Sequence, residues 1–181
     1  MSGTFEDSTA PRVGDDVTHA PCLVVLLECD RPLAGGARYS LENIDRVTLG
    51  RSDARSDTRQ CEREVKTLNV RLPGRSLSVD HARLVRVGTS WAIEDMRSTN
   101  GTFVNGERVA RAVLRDHDLC EIGHTLLRVN QRVPAPSNAP LDVDVQNEDA
   151  RAPLTLDPVL AADLDALATV ALHDVPILVL G

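Results

Sequence analysis

Lysine and aromatic residues are nearly absent from this sequence of 181 residues. Lys66 is the only lysine, and the chain holds one Trp, one Tyr and two Phe. The net charge of −7 disfavours a general electrostatic attraction to nucleic acid or to an anionic membrane as the main activity. An anionic ligand must therefore be bound locally by arginines, whose guanidinium groups can donate two parallel hydrogen bonds to a phosphate or a carboxylate.

The sequence also lacks the cysteine pattern of a metal site and the apolar run of a membrane span. Its four cysteines form no Cys-x-x-Cys pair and have no histidine at ligand spacing, which predicts no metal and reduced, mostly buried thiols. These are Cys22, Cys29, Cys61 and Cys120. No apolar run approaches the roughly eighteen residues of a transmembrane helix, and no signal peptide is present at the start. A cytoplasmic location is the expectation.

Short apolar runs separated by turn residues fill the stretch from residue 21 to residue 132. No helical period of useful length occurs there, so the pattern predicts an all-β sandwich of two sheets. Residues 1–20, which are polar, acidic and broken by Pro and Gly, predict a disordered N-terminal arm. The charged stretch "RSDARSDTRQCERE", beginning at Arg51, is interpreted as a solvated loop beyond that first arginine.

The amino-acid composition changes after the β-rich segment. Residues 133–155 are rich in Pro, Asn and Asp and predict a linker. Residues 156–181 hold a helix that starts at Pro158 with Asp157 as its cap, followed by the wholly apolar strand "PILVLG". Such a strand is typical of a parallel sheet covered on both faces, so we interpret this segment as the start of an incomplete α/β domain.

Two Asn-Gly pairs lie close together in "RSTNGTFVNGE", residues 97–107. Asn-Gly is typical of a two-residue hairpin turn, because both central residues of a type I′ turn need positive φ. Asn105-Gly106 has strand-like runs on both sides and fits that role. The pair Asn100-Gly101 then needs another explanation.

Four separated blocks resemble, in order and spacing, the forkhead-associated (FHA) domain. They are "VTLGR" (47–51), "SVDHARL" (78–84), "WAIEDMRSTNGTFVNGERV" (91–109) and "LRDHDLCEIGHTLLRV" (114–129). The resemblance implies a sandwich of two twisted, mainly antiparallel sheets whose loops at one end bind a phosphothreonine in an extended peptide.

The resemblance also implies a set of site residues. Arg51 looks like the phosphate-binding arginine, Ser78 like a serine that donates its hydroxyl to the phosphate, and Thr99 and Asn100 like the pair that contact the phosphate and the peptide backbone. The expected supporting residues are Gly50, His81, Gly101, Asn105 and Gly106. By this interpretation Asn100-Gly101 shapes a recognition loop, and Asn105-Gly106 turns the hairpin.

The residue types fit this ligand, with one departure from the family. A phosphothreonine carries about −1.5 to −2 charges and three strong acceptor oxygens, so it needs a fixed cation and neutral donors around it. Where the family usually shows Ser-Arg-x-His, this chain has Val79 after the serine. Arg75 is a candidate to supply the missing charge; the alternative is a phosphate-independent interaction or self-association scaffold.

An enzymatic interpretation has less support. Ser78, His81 and Asp95 are the residue types of a hydrolase triad, but no Gly-x-Ser-x-Gly surrounds the serine, and Ser78 and His81 are loop neighbours. We therefore expect no catalytic residues and no cofactor in this chain.

The tail "LATVALHDVPILVLG" resembles the entry to the AAA+ domain of sigma-54-dependent transcription activators. There a phosphate-binding loop would follow Gly181, and ATP and Mg²⁺ are expected only with that missing domain. The combined expectation is the phosphothreonine sensor of such an activator, acting in Ser/Thr-kinase signalling. Its partners would be a phosphothreonine protein and a kinase, with sigma-54 RNA polymerase and DNA reached only through the missing domains.

Overall fold

A computed structural model describes residues 17–137, 141–145 and 155–171 of the chain. The strands are β1 (Val17–Glu28), β2 (Ala37–Ser40), β3 (Arg46–Ser52), β4 (Ser56–Glu62), β5 (Val65–Pro73), β6 (Ala82–Val87), β7 (Ser90–Asp95), β8 (Thr102–Val104), β9 (Glu107–Val109), β10 (Arg111–Leu114), β11 (Leu119–Ile122), β12 (Thr125–Pro136) and β13 (Val143–Asp144). One helix, α1 (Pro158–Ala171), follows them. The predicted arm at residues 1–16 and the predicted strand at residues 176–181 lie outside the described residues.

The strands form two sheets that face each other. One sheet has seven strands in the order β13-β2-β1-β12-β11-β8-β9, and the other has six in the order β10-β7-β6-β3-β5-β4. Within the described ranges, β3 and β5 are parallel and the remaining sheet neighbours are antiparallel. The predicted all-β sandwich with mainly antiparallel sheets is therefore confirmed.

Alternation of apolar and polar residues explains which strand faces point inward. In β5, Leu68, Val70 and Leu72 are fully buried, while the residues between them are half-buried. This is the period of two expected when one face of a strand packs on a core and the other meets solvent. Trp91 and Ile93 of β7 join the same core between the sheets.

The β-sandwich begins four residues earlier than residue 21. Val17–Ala20 pair with Val133–Pro136, so β1 and β12 extend each other at both of the expected boundaries. Thr18 and His19 are exposed, whereas Ala20, Val133 and Ala135 are buried. A paired ribbon needs only one apolar face, and for that reason polar composition alone placed the boundaries wrongly.

Part of the predicted linker packs against the sandwich. β13 pairs with Ala37 and Arg38 of β2, and the N–H of Val145 donates to the carbonyl of Gly36 at 2.9 Å. The Nε of Arg38 donates to the carbonyl of Leu141 at 2.9 Å. The segment 141–145 is therefore an integral edge of the seven-stranded sheet.

The interpretation of the charged stretch after Arg51 as a solvated loop is wrong. β4 is a strand at the edge of the six-stranded sheet, exposed along its whole length and paired with β5. Arg55 precedes it and is buried, with its Nε 2.8 Å from Glu28 Oε1 and its Nη1 2.6 Å from Asp144 Oδ1. An edge strand whose side chains are all exposed needs no apolar face. Its composition therefore resembles that of a loop.

Two of the four cysteines are buried, which is fewer than predicted. Cys22 and Cys120 are buried free thiols, but Cys29 and Cys61 are exposed, so "mostly buried" is wrong for two of them.

The predicted helix cap is confirmed. Asp157 caps α1, because its Oδ1 accepts from the N–H of Val159 at 2.9 Å and of Leu160 at 3.0 Å. Among the described residues, no helix is long and apolar enough to cross a membrane.

Candidate functional site

Arg51 lies near the end of β3, where the loop 74–81 packs against the strand. The N–H of Arg51 donates to the carbonyl of Ser78 at 2.9 Å. Gly50 makes this packing possible, because a Cβ there would lie 1.8 Å from the carbonyl oxygen of Val79. The glycine that sequence reasoning named as a supporting residue therefore allows one loop backbone to contact the strand.

His81 connects the two loops that carry the other candidate residues. Its ring is fully buried; Nδ1 accepts from the N–H of Ser78 at 3.1 Å, and Nε2 is 3.0 Å from the carbonyl of Gly101. A backbone N–H can only donate and a carbonyl can only accept, so the hydrogen must be on Nε2. This neutral tautomer joins loop 74–81 to loop 97–101.

Asp95 at the end of β7 anchors the loop 97–101. Its carboxylate accepts from Ser98 Oγ at 2.5 Å, from the Ser98 N–H at 3.1 Å and from Thr102 Oγ1 at 2.9 Å. Burial alone would raise the pKa of Asp95, but the hydrogen bonds from Ser98 and Thr102 outweigh it and hold that pKa below its ordinary value. Ser98 Oγ also accepts from the Gly101 N–H at 2.9 Å, which closes the loop.

The polar groups of Ser78, Thr99 and Asn100 lie on these joined loops. Ser78 Oγ accepts from the Thr99 N–H at 3.1 Å, and Asn100 Nδ2 donates to the carbonyl of Ser76 at 2.8 Å. Within the described ranges, the Ser78 hydroxyl hydrogen, Thr99 Oγ1 and Asn100 Oδ1 have no hydrogen-bond partner. Two hydroxyl donors and one amide acceptor are therefore free to contact a ligand.

An open groove of about 680 Å³ lies beside Arg51. Its lining residues are Asp30, Arg51, Ser52, Asp53, Pro73, Gly74 and Arg75. In the part of the chain that the structure describes, neither the Arg51 nor the Arg75 guanidinium forms an ion pair or a side-chain hydrogen bond. Arg51 and Arg75 thus share one groove, whereas Ser78, Thr99 and Asn100 are outside its lining and adjoin it through the loop backbone.

The two Asn-Gly pairs have different structures. Asn105 (φ 51°) and Gly106 (φ 83°) form the two-residue turn between β8 and β9, with Val104 opposite Glu107, as predicted for the hairpin. The Asn105 side chain also accepts from the Leu119 N–H at 2.9 Å. In the other pair only Gly101 has positive φ, at 87°, so Asn100-Gly101 is a loop bend held by Ser98 and His81.

Sequence reasoning named His81 and Gly50 as supporting residues but missed the bonds between Asp95 and Ser98 that anchor the loop 97–101. Asp95 accepts from the backbone N–H of Ser98, three residues later, and a local bond of this kind is common for Asp, so that signal was available. Asp30 and Asp53 had no signal, because they come from loops that are distant in sequence from Arg75. Val79, the departure from the family, is 58% exposed, and its carbonyl accepts from Arg71 Nη1 at 2.5 Å.

The hydrolase interpretation fails on geometry. His81 Nδ1 is bonded to the backbone N–H of Ser78, and Ser78 Oγ is bonded to the Thr99 N–H. A triad needs the serine Oγ bonded to the histidine and the carboxylate bonded to the other ring nitrogen. Among the described residues there is also no group of three His, Cys, Asp or Glu side chains that could hold a metal ion.

Comparison with known proteins assigns a family to this arrangement. The profile of the FHA domain matches residues 47–123. The chain is 52% identical over 44 residues to the ABC transporter ATP-binding/permease protein Rv1747 of Mycobacterium tuberculosis, which covers 24% of this chain and 5% of that protein. The chain thus spans only a small part of that relative.

The solved structures that are similar to the chain include two FHA domains of bacterial proteins. The FHA-2 domain of the same transporter is 31% identical, with 52% of this chain and 77% of that chain covered and a TM-score of 0.35. The FHA domain of the CT664 protein from Chlamydia trachomatis is 25% identical, with 62% and 97% covered and a TM-score of 0.45. The profile match, with the 31% sequence identity to an FHA-2 domain of which 77% is covered, shows that residues 47–123 of this chain belong to the FHA domain family.

Proposed function

We propose that this chain binds a phosphothreonine-containing protein or peptide and acts as a non-enzymatic module in Ser/Thr-kinase signalling. One observation carries the proposal: the unpaired Arg51 and Arg75 guanidinium groups share a groove that adjoins the loops bearing Ser78, Thr99 and Asn100. The FHA resemblance supplies the ligand class, and the groove supplies two cations, with the two hydroxyl donors on the adjoining loops.

The strength of these contacts is sufficient for reversible binding. A hydrogen bond to a charged group contributes roughly 1.5 to 3 kcal/mol net. Three such bonds, with a few contacts to the peptide backbone, would reach about −8 kcal/mol, which corresponds to micromolar affinity. The loops are already joined by His81 and Asp95, so little ordering has to accompany binding.

The test is a titration of the 181-residue chain with matched peptides that contain phosphothreonine or unmodified threonine. We expect binding only of the phosphorylated peptide, and a loss of tenfold or more in Arg51→Ala, since each lost charge-assisted bond costs about 1.4 kcal/mol or more. Arg86→Ala is the matched control, because Arg86 is exposed on β6 and is outside the groove lining. Equal affinity for the two peptides, or unchanged binding by Arg51→Ala, would overturn the proposal.

A phosphate-independent interaction scaffold is the second candidate, favoured by the exposed apolar side chain of Val79. An apolar side chain on this loop gives no contact to a phosphate and can contact an apolar partner. Binding of unmodified peptide that survives Arg51→Ala and is lost in Val79→Asp would support the scaffold.

We propose also that the FHA domain is the sensor of a sigma-54-dependent regulator. The support is the resemblance of the tail to the entry of an AAA+ domain, together with the capped helix α1 that precedes it. The residues encoded beyond Gly181 test this directly. A Gly-x-x-x-x-Gly-Lys-Ser/Thr loop beginning there supports the regulator, and its absence contradicts it. ATP, sigma-54 RNA polymerase and DNA would be contacts of that further domain.

A further inference from the structure

The groove beside Arg51 carries charges of both signs. Arg51 and Arg75 are in its lining, and so are the carboxylates of Asp30 and Asp53. Arg51 lies in β3, and the other three residues come from the β1–β2, β3–β4 and β5–β6 connections, so the fold rather than the local sequence brings them together.

The two carboxylates are not neutralised inside the chain. Asp53 has no ion pair and no side-chain hydrogen bond within the described residues. Asp30 Oδ1 has a single neighbour of that kind, His124 Nδ1, at 3.4 Å, and that contact is an ion pair only when the histidine is protonated. Arg31 and Arg55 line a smaller neighbouring pocket together with Asp53, but both guanidinium groups are bonded to Glu28.

A groove of this size is larger than the phosphate group alone needs. At about 680 Å³ it also accommodates residues that flank the phosphorylated side chain. Two carboxylates beside a bound dianion repel it, so they weaken a ligand that offers only negative charge. A ligand that places a cation on them converts this repulsion into attraction.

Resting on the proposed function, we infer that the groove selects phosphothreonine peptides with a lysine or arginine flanking the phosphorylated residue. Arg51 and Arg75 bind the phosphate, and Asp53 and Asp30 bind the flanking cation. Glutamate or aspartate at the same place is rejected, because it meets two carboxylates while the phosphate occupies Arg51 and Arg75.

The experiment is a set of phosphothreonine peptides in which each flanking position is Lys, Ala or Glu in turn, titrated against the 181-residue chain at low salt. At one or more positions we expect Lys to bind about two- to fivefold more tightly than Ala, and Glu to bind more weakly than Ala, as for partly exposed ion pairs. Asp53→Asn and Asp30→Asn should reduce this preference while binding the Ala peptide at least as tightly as the unaltered chain.

The control is Glu62→Gln, which removes an exposed carboxylate at the far end of β4 and should leave the preference unchanged. Phosphate-dependent binding with no preference for a cation at any position, or a preference that survives both aspartate substitutions, would overturn this inference alone. Binding that ignores the phosphate would overturn the proposed function itself. The two failures are therefore distinguishable in one set of titrations.

Discussion

Two side chains determine the position of the recognition loops. His81 joins Ser78 to Gly101, and Asp95 holds Ser98 and Thr102. Neither side chain is in the lining of the Arg51 groove, so both act by positioning. Because each satisfies polar groups in the loops, their effects should be seen in stability as well as in binding.

The depressed pKa of Asp95 predicts a dependence of stability on pH. A carboxyl whose pKa is lower in the folded than in the unfolded chain stabilises the fold above its unfolded pKa, near 3.9, and loses that contribution as the pH falls through the folded pKa. Asp95→Asn should therefore lower the free energy of unfolding most above about pH 5, with the difference from the unaltered chain shrinking below about pH 4.

Urea unfolding between pH 2.5 and pH 6 measures this difference. Asp57→Asn is the control, because Asp57 is an exposed residue of β4 with no hydrogen bond from its side chain in the described ranges. A difference between Asp95→Asn and the unaltered chain that stays constant down to pH 3 would contradict the assignment.

The elements are held together at one edge by a buried arginine. Arg55, which follows β3, contacts Glu28 at the end of β1 and Asp144 in β13, and the side chains of Arg55 and Glu28 are both 2% exposed. One guanidinium therefore connects the two sheets and the C-terminal edge strand. Arg51 and Arg55 are four residues apart, so the segment 51–55 contributes both to the groove beside Arg51 and to the ion pairs of Arg55.

Removing one partner of such a buried ion pair should cause a large loss of stability. Arg55→Ala should lower the free energy of unfolding by about 3 kcal/mol, because it leaves the buried Glu28 carboxylate with only the 3.4 Å contact to the half-exposed Arg31. Arg59→Ala, which removes an ion pair to Asp142 with the arginine 36% exposed, should cost about 1 kcal/mol or less. Urea denaturation measures both values.

A second substitution separates the charge effect from lost packing. Adding Glu28→Gln to Arg55→Ala should recover part of the lost stability, because a neutral amide costs less to bury than a carboxylate that has lost its main counter-ion. If Arg55→Ala costs no more than Arg59→Ala, the buried pair does not hold these elements together.

The elements also show what the sequence could and could not predict. The hairpin at Asn105-Gly106 and the cap at Asp157 depend on residues adjacent in the chain, and both were predicted. β4 and β13 are polar edge strands specified by their neighbours β5 and β2, so their own composition resembled loops and linkers. Arg51 could be selected from a motif, whereas its meeting with Arg75, Asp30 and Asp53 depends on loop packing that a single sequence does not encode locally.

For the whole molecule, the reactivity of the buried thiols measures how often the β-sandwich opens. Burial raises the pKa of Cys22 to about 11 and that of Cys120 to about 12, so at pH 8 neither has an appreciable thiolate fraction. Cys29 and Cys61 are exposed. In the folded chain a thiol reagent at pH 8 should therefore label the two exposed cysteines rapidly and the two buried ones only at the rate of opening.

Labelling followed by mass spectrometry measures the two classes. All four thiols should react rapidly in concentrated urea. The double variant Cys29→Ser, Cys61→Ser is the control, and it should lose the rapid phase. Rapid labelling of Cys22 in the unaltered folded chain would mean that β1 and β12 separate readily.

The pairing of β13 with β2 has a practical consequence for anyone who trims this chain for crystallography or expression. Ending the polypeptide at residue 123, where the family match stops, would delete β12, and ending it at 136 would strip β2 of its outer neighbour. The N–H and C=O groups of β2 that pair with β13 would then be free to pair with another molecule, which promotes aggregation. A shortened version that keeps residues through 145 retains both the covering strand and the counter-ion of Arg55.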